Sequence, residues 1–169
     1  MKAKLAKISV ALTKDGRLIT CEWFNTPLTD AEGRVIGITS LVQDITPRVQ
    51  AELLLRQSEH RFTRAFNASP VAIGITTLEA GRFLDANDML LKLLDYRRED
   101  VIGHTAAELN IWVHPEERAR LMDQVLASHR VRDYECQFRT RAGDVRRTLV
   151  SVELIELENE PSLLFLTHD

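Results

Sequence analysis

The strongest constraint on this chain is that part of it occurs twice. Lys14-Asp15-Gly16 and Arg141-Ala142-Gly143 are turn signals 127 residues apart, each preceded by a strand-like run, 8–12 in one copy and 134–140 in the other. A repeated pattern marks the architectural unit before any local assignment does. Each turn is followed by a long alternating run (18–24 and 145–155), then a second turn, then an apolar run ending in Asp44 or Asp169. These ends are 125 residues apart, so the copies differ by a two-residue gap at the second turn, where length changes cost little. Each copy reads as three antiparallel strands. The first continues through Ile45-Thr46-Pro47 into a polar helix, whereas the second stops at Asp169, and the expectation is that the natural chain continues. By the same reasoning, residues 1–46 read as the C-terminal part of a domain cut in half. Its last strand lacks a neighbour and leaves an open edge.

Between the copies, Pro47 suits a first helical turn, where its missing N–H is already an orphan. The predicted helix, residues 47–67, carries Val49, Leu53, Leu55, Phe62 and Phe66 as a stripe among polar residues. A helix of this size is marginal in water unless the stripe is covered. Two covers remain open: a second copy of the helix, or the domain that follows, with Phe62 and Phe66 docked on it. Residues 68–169 then form a complete unit. A β-branched run at 71–78, a turn at Gly81 and residues 82–86 make a hairpin. Asn87 caps a helix at 88–94, short helical pieces follow at 97–102 and 105–109 around Gly103, and Pro115 opens a helix to 129. On that last helix Leu121, Met122, Val125 and Leu126 share a face.

Composition narrows the function classes. Hydrophobic residues at 44% and charged residues at 28% suit a globular chain with a real core. A net charge of −3 provides no broad positive field for nucleic acid or an anionic membrane, and neither partner is expected. Cys21 and Cys136 fall in different units, which argues against a disulfide framework. No apolar run approaches the roughly 18 residues of a membrane span, and Met1-Lys2-Ala3-Lys4-Leu5 has no apolar core behind its lysines. A cytoplasmic location is the expectation.

Two strands, several helices and three strands, with these residues, resemble the PAS family, specifically the PAS and PAC modules of bacterial sensor kinases and cyclic-di-nucleotide enzymes. In the first copy Trp23-Phe24-Asn25-Thr26-Pro27-Leu28, Gly33, Gly37 and Asp44-Ile45-Thr46 look like a PAC ending with its exit motif. Ala51-Glu52, Leu55, Ser58-Glu59 and Arg61-Phe62 are similar to the helix leading into a following PAS domain. Ser69-Pro70, Gly81-Arg82-Phe83-Leu84, Asn87, Leu94, Tyr96, Gly103 and His114-Pro115 complete the pattern. The resemblance implies an α+β fold: a five-stranded antiparallel sheet, order 2-1-5-4-3, with helices on one face, preceded by the linker helix and a three-strand half-PAS remnant. It also implies a cavity under the helix 115–129 and a signal-transfer role for Asp44, Ile45 and Thr46.

No residue pattern announces catalysis. The Asn-Cys-Arg-Phe motif of flavin-linking PAS domains is missing, and Cys136 shares a strand face with Tyr134 and Phe138, as a packed core residue does. Haem-binding relatives use a histidine in the helical layer. His129 falls at a helix C-terminus, where a cation is favourable for its own reasons, and His104 and His114 lie beside turns. His60 resembles a kinase phosphoacceptor only superficially, since no Arg-Thr-Pro follows. The five histidines form no metal-ligand pair, and no metal or cofactor is expected. Arginines 130, 132, 139, 141, 146 and 147 flank two strands and read as a charged outer face.

The candidate pocket walls are Leu91, Trp112, Met122, Leu126, Tyr134 and Phe138, with Trp112 and Tyr134 as polar handles for an unidentified small molecule. The functional expectation is a non-enzymatic sensory and dimerisation module that relays ligand or conformational signals to an output domain, a kinase or a cyclase. Its homodimer helix is carried by Val49, Leu55, Phe62 and Phe66. Haem or flavin sensing and autonomous protein–protein pairing are the alternatives.

Overall fold

The computed structural model describes residues 5–168; the opening Met1-Lys2-Ala3-Lys4 and Asp169, the sequence counterpart of Asp44, lie outside the described residues. The chain divides after Arg61 into two compact units.

The first unit is a three-stranded antiparallel sheet, β1 (Leu5–Leu12), β2 (Leu18–Thr29) and β3 (Val35–Asp44), followed by the first turns of α1 (Thr46–Ala68). The turn at Gly16 has φ +81 and its counterpart at Gly143 has φ +96, a region that glycine enters without steric cost. β2 runs five residues beyond the expected end at 24 and takes in the Trp23–Leu28 stretch. The apolar side chains of this sheet are largely uncovered, with Ile36, Ile38 and Leu41 of β3 66–69% exposed. The exit is tightly built. Ile45, 3% exposed, donates its amide to the Thr20 carbonyl at 2.8 Å, and the Thr46 hydroxyl accepts from the Thr20 amide at 2.7 Å. The Thr46 amide donates to the Asp44 carboxylate at 2.9 Å, and hydrogen bonds from the Thr46 hydroxyl and amide hold the Asp44 carboxyl below its usual range.

The second unit carries the end of α1, then β4 (Ala72–Thr77), β5 (Phe83–Ala86), α2 (Asp88–Leu94), α3 (Arg98–Val101), α4 (Pro115–Ser128), β6 (Arg130–Arg139), β7 (Val145–Leu157) and β8 (Glu160–His168). Its sheet is antiparallel in the order β5-β4-β8-β7-β6, which is 2-1-5-4-3 counted within the unit. α2 packs on β4 and α4 on β6 and β7. The core gathers Leu90, Leu94, Val101, Leu121, Val125 and Val150, each at most 2% exposed.

Within each unit the two copies of the repeat pair in the same register. Ser9 faces Cys21 as Cys136 faces Thr148, and Trp23 faces Val42 as Val150 faces Thr167. The match holds to Leu28–Gly37 and Ile155–Ser162 and ends at the second turn, where the first copy shifts register between Leu28 and Thr29.

Two local expectations need correction. Residues 105–109 do not form a helix. Thr105 and Glu108 make a reciprocal capping box, Thr105 N–H to the Glu108 carboxylate at 2.7 Å and Glu108 N–H to the Thr105 hydroxyl at 3.1 Å. Asn110, at φ +52, then ends the chain's single turn there. These hydrogen bonds hold the Glu108 carboxyl below its ordinary range. β6 begins at Arg130 rather than at 134, because Asp133, at φ +50, absorbs an irregularity between Val131 and Tyr134 and lets pairing resume beyond it.

Asn87 organises the junction of three elements. It is wholly buried. Its Oδ1 accepts from the amides of Ile73 and Leu90, both at 2.9 Å, and its Nδ2 donates to the carbonyls of Phe66 at 3.0 Å and Val71 at 2.8 Å. A carboxamide has two donors and an acceptor oxygen with two lone pairs, and all of this capacity is used. Asn87→Ala removes a helix cap worth about 1 kcal/mol and leaves buried backbone groups unpaired at about 1–3 kcal/mol. The expected loss is roughly 3 kcal/mol in urea unfolding followed by circular dichroism. A loss below about 1 kcal/mol would show that the junction does not depend on this side chain.

Candidate ligand cavity

A cavity of about 60 Å³ lies inside the second unit. α2 contributes Leu90 and Leu94, one turn apart, because Asn87 fixes where the helix starts and so which face it turns inward. β5 contributes Phe83 and β8 Phe165, whose rings meet edge to face at 6.1 Å. Phe165 also lies across Gly74 of β4. A Cβ there would stand 2.3 Å from the Phe165 ring and 2.7 Å from Leu90, so only glycine lets the ring lie this close to the strand. Trp112 stands edge-on to Phe138 at 5.0 Å. It is held by its neighbours, since Val113 N–H donates to Gln137 O and Arg139 N–H to Ile111 O along the edge of β6.

The lining is apolar except for Thr76, the Trp112 indole and Arg118. Arg118, on α4, brings the one ionisable side chain among the described lining residues. Its Nη2 is buried and makes no hydrogen bond among the described residues.

The six pocket positions expected from sequence divide evenly. Trp112, Met122 and Phe138 border the cavity. Leu91 instead faces an outer groove with Tyr96 and Arg141, since the cap turns Leu90 inward. Leu126 is 55% exposed and lines a second outer groove with Leu78 and Pro161. The inward row of α4 is Leu121 and Val125, which leaves Leu126 at the rim. Tyr134 is no handle for the cavity, because its hydroxyl donates to the Glu117 carbonyl at 3.1 Å and ties β6 to α4. Sequence reasoning missed Leu90, Leu94, Phe83, Phe165, Thr76 and Arg118. The Asn87 cap, counted forward by three and seven, was the available signal for the two leucines. An arginine on a mostly polar helix gave none.

The other candidates lie elsewhere. His60, His104, His114 and His129 are exposed, and His129 occupies the left-handed C-cap of α4 with φ +61. Among the described residues no cluster of metal-ligating side chains occurs, and no helix is long and apolar enough to cross a membrane. Arg130 pairs with Glu153 at 2.9 Å, which raises the arginine and holds the glutamate below its ordinary range. Arg141 pairs with Asp100 at 2.5 Å and lies over the Tyr96 ring. Both are surface pairs.

The second unit is thus a mixed sheet-and-helix domain that encloses a small apolar cavity. The PAS domain family pattern matches residues 70–169, and the chain belongs to that family of sensory modules. Solved structures agree on the fold. The PAS domain of an HTR-like protein from Haloarcula marismortui is 20% identical, with a TM-score of 0.62 over 71% of this chain and 98% of that one. The PAS domain of a two-component sensor histidine kinase is 14% identical, with a TM-score of 0.57 over 70% and 97%. A PAS domain in complex with ethanol, from a LuxR-family transcriptional regulator of Burkholderia thailandensis, is 16% identical, with a TM-score of 0.53 over 64% and 96%. Among curated proteins none matches the chain.

Both cysteines are buried. Cys136 contacts the Thr148 hydroxyl at 3.4 Å, and burial pushes its thiol up to about 11. At pH 8 only about one Cys136 in a thousand is then thiolate, the reactive form. Iodoacetamide at pH 8 should leave Cys136 unmodified in the native chain and modify it fully in urea, as read by peptide mass spectrometry. Rapid native labelling of Cys136 would contradict its burial.

Proposed function

We propose that this chain is a sensory and dimerisation module in which occupancy of the cavity acts on the linker helix α1, within a protein whose output domain lies downstream. On this reading residues 1–46 are the PAC part of a preceding PAS domain, and Asp44, Ile45 and Thr46 are its exit to the helix. The observation that carries the reading is the double role of Asn87. Its side chain caps α2, whose Leu90 and Leu94 line the cavity, and also holds the Phe66 carbonyl in the last turns of α1. A displacement of α2 by a ligand therefore acts on α1 through one rigid side chain. Arg98 gives a second tie, bonded to Asp85, to the Ala86 carbonyl and to Asn67. The Burkholderia PAS domain in complex with ethanol supports a domain of this fold binding a very small molecule. The three-strand unit supports its assignment by repeating the register of the complete domain's last three strands.

Dimerisation rests on the surface of α1. Leu55 is 60% and Phe62 57% exposed, and burying each against a partner contributes roughly 1.5 to 3 kcal/mol. Phe66 drops out of the expected stripe. It is buried in its own unit and stacks on Phe62 at 5.5 Å, because Asn87 draws the last turns of the helix onto the domain. Val49 is half-buried in the first unit. The double variant Val49→Asp with Leu55→Asp spares the residues nearest the complete domain. Sedimentation velocity should give a dimer for the parent and a folded monomer for the variant. Identical sedimentation of the two would show that α1 does not carry dimerisation.

A further inference from the structure

We propose that the cavity takes a short-chain carboxylate, with the carboxyl group seated on Arg118 and the hydrocarbon end against Leu90 and Leu94. This rests on the reading of the cavity as the sensory site and adds the chemical class of its ligand. Three observations carry it. Arg118 Nη2 is buried, without a hydrogen-bond partner among the described residues, at the wall of an otherwise apolar space. A buried guanidinium nitrogen without a partner is costly, and a carboxylate that accepts its hydrogen bond relieves that cost well. The guanidinium also lies directly against the Gly81 turn. Gly81, at φ +65, presents no side chain, and Nη2 packs on it so closely that a Cβ there would stand 2.7 Å away. Finally, Arg118 and Met122 border both the cavity and the outer groove beside it. An anion arriving from solvent meets the cation at the doorway.

Size sets the chain length. With about 10–15 Å³ of such space per water-sized group, a cavity of this volume holds about four to six non-hydrogen atoms. Acetate and propionate fit, and long fatty acids do not. The apolar walls offer nothing to a second charged group, so dicarboxylates and amino acids are disfavoured.

The test compares propionate with 1-propanol, which matches its hydrocarbon but lacks the charge, on the full chain by methyl-resolved NMR. Propionate should shift the Leu90, Leu94 and Val150 methyl signals saturably and bind at least tenfold tighter than 1-propanol. Arg118→Gln should bring that ratio to about one, chiefly through loss of propionate affinity. Arg118→Lys keeps the charge without the planar fork and should retain part of the ratio, and the methyl spectra report that both variants are folded. Equal or tighter binding of 1-propanol by the parent would overturn the carboxylate assignment and leave the sensory reading standing. A ratio that persists in Arg118→Gln would overturn the role of Arg118. If neither compound moves the cavity methyls, the sensory reading falls and this inference with it.

Discussion

Much of the second unit depends on one buried carboxamide. The last carbonyls of α1 have no partner within their helix, the amides at the start of α2 have none within theirs, and β4 must begin between them. A buried backbone group left without a partner is costly, so three separate solutions would each need their own polar side chain. Asn87 satisfies all three ends at once. Asparagine suits this because one short side chain carries two donors and an oxygen that accepts twice. Aspartate would lose the donors, and glutamine would reach too far. The same economy removes independence: the start of α2 cannot move without disturbing the end of α1.

How far the fold was legible in sequence follows from which signals are local. Lys14-Asp15-Gly16 and Arg141-Ala142-Gly143 are turns that glycine makes readable, and between them the strands have to alternate. The offsets of 127 and 125 residues therefore carried the strand count, and the pairing of the strands repeats in both copies. Asn87 and Pro115 marked helix starts for the same local reason. The misreadings came where local chemistry has two outcomes. Thr105-Ala106-Ala107-Glu108 is a capping box, a true helix-start signal, but Asn110 in a left-handed conformation closes the segment after one turn. Asp133 is likewise an ordinary residue in sequence, and only the bulge it occupies shows that β6 begins upstream of it.

The cavity was less legible because its walls depend on phase. Leu90 and Leu91 are equally apolar, and one residue of helical rotation decides which faces the core and which faces a groove. Tyr134 looked like a handle for a ligand until its hydroxyl found the Glu117 carbonyl. Arg118 is the reverse case. On a helix whose outward residues are mostly charged, nothing in sequence separates it from Arg120. The distinction lies in tertiary packing: Arg118 turns towards the cavity and lies against Gly81, 37 positions earlier in the chain, whereas Arg120 is exposed.

Cavity size and the short bonded route to α1 belong together. A ligand of about five non-hydrogen atoms has a ceiling near 1.5 kcal/mol per atom, or roughly 7 kcal/mol, and millimolar binding uses about 4. Moving a two-state equilibrium from 1:99 to 99:1 takes about 5.5 kcal/mol of differential affinity. A ligand this small therefore has almost nothing to spare for compliant elements between itself and the output. The proposed route contains very little of that kind: Leu90 and Leu94 line the cavity, Asn87 caps their helix, and the same amide holds Phe66 O. Each link is a packed side chain or a hydrogen bond near 3 Å, stiff on the scale of a small ligand's binding energy. A larger cavity could tolerate a looser connection, whereas one of about 60 Å³ can act on α1 only if the two are nearly in contact.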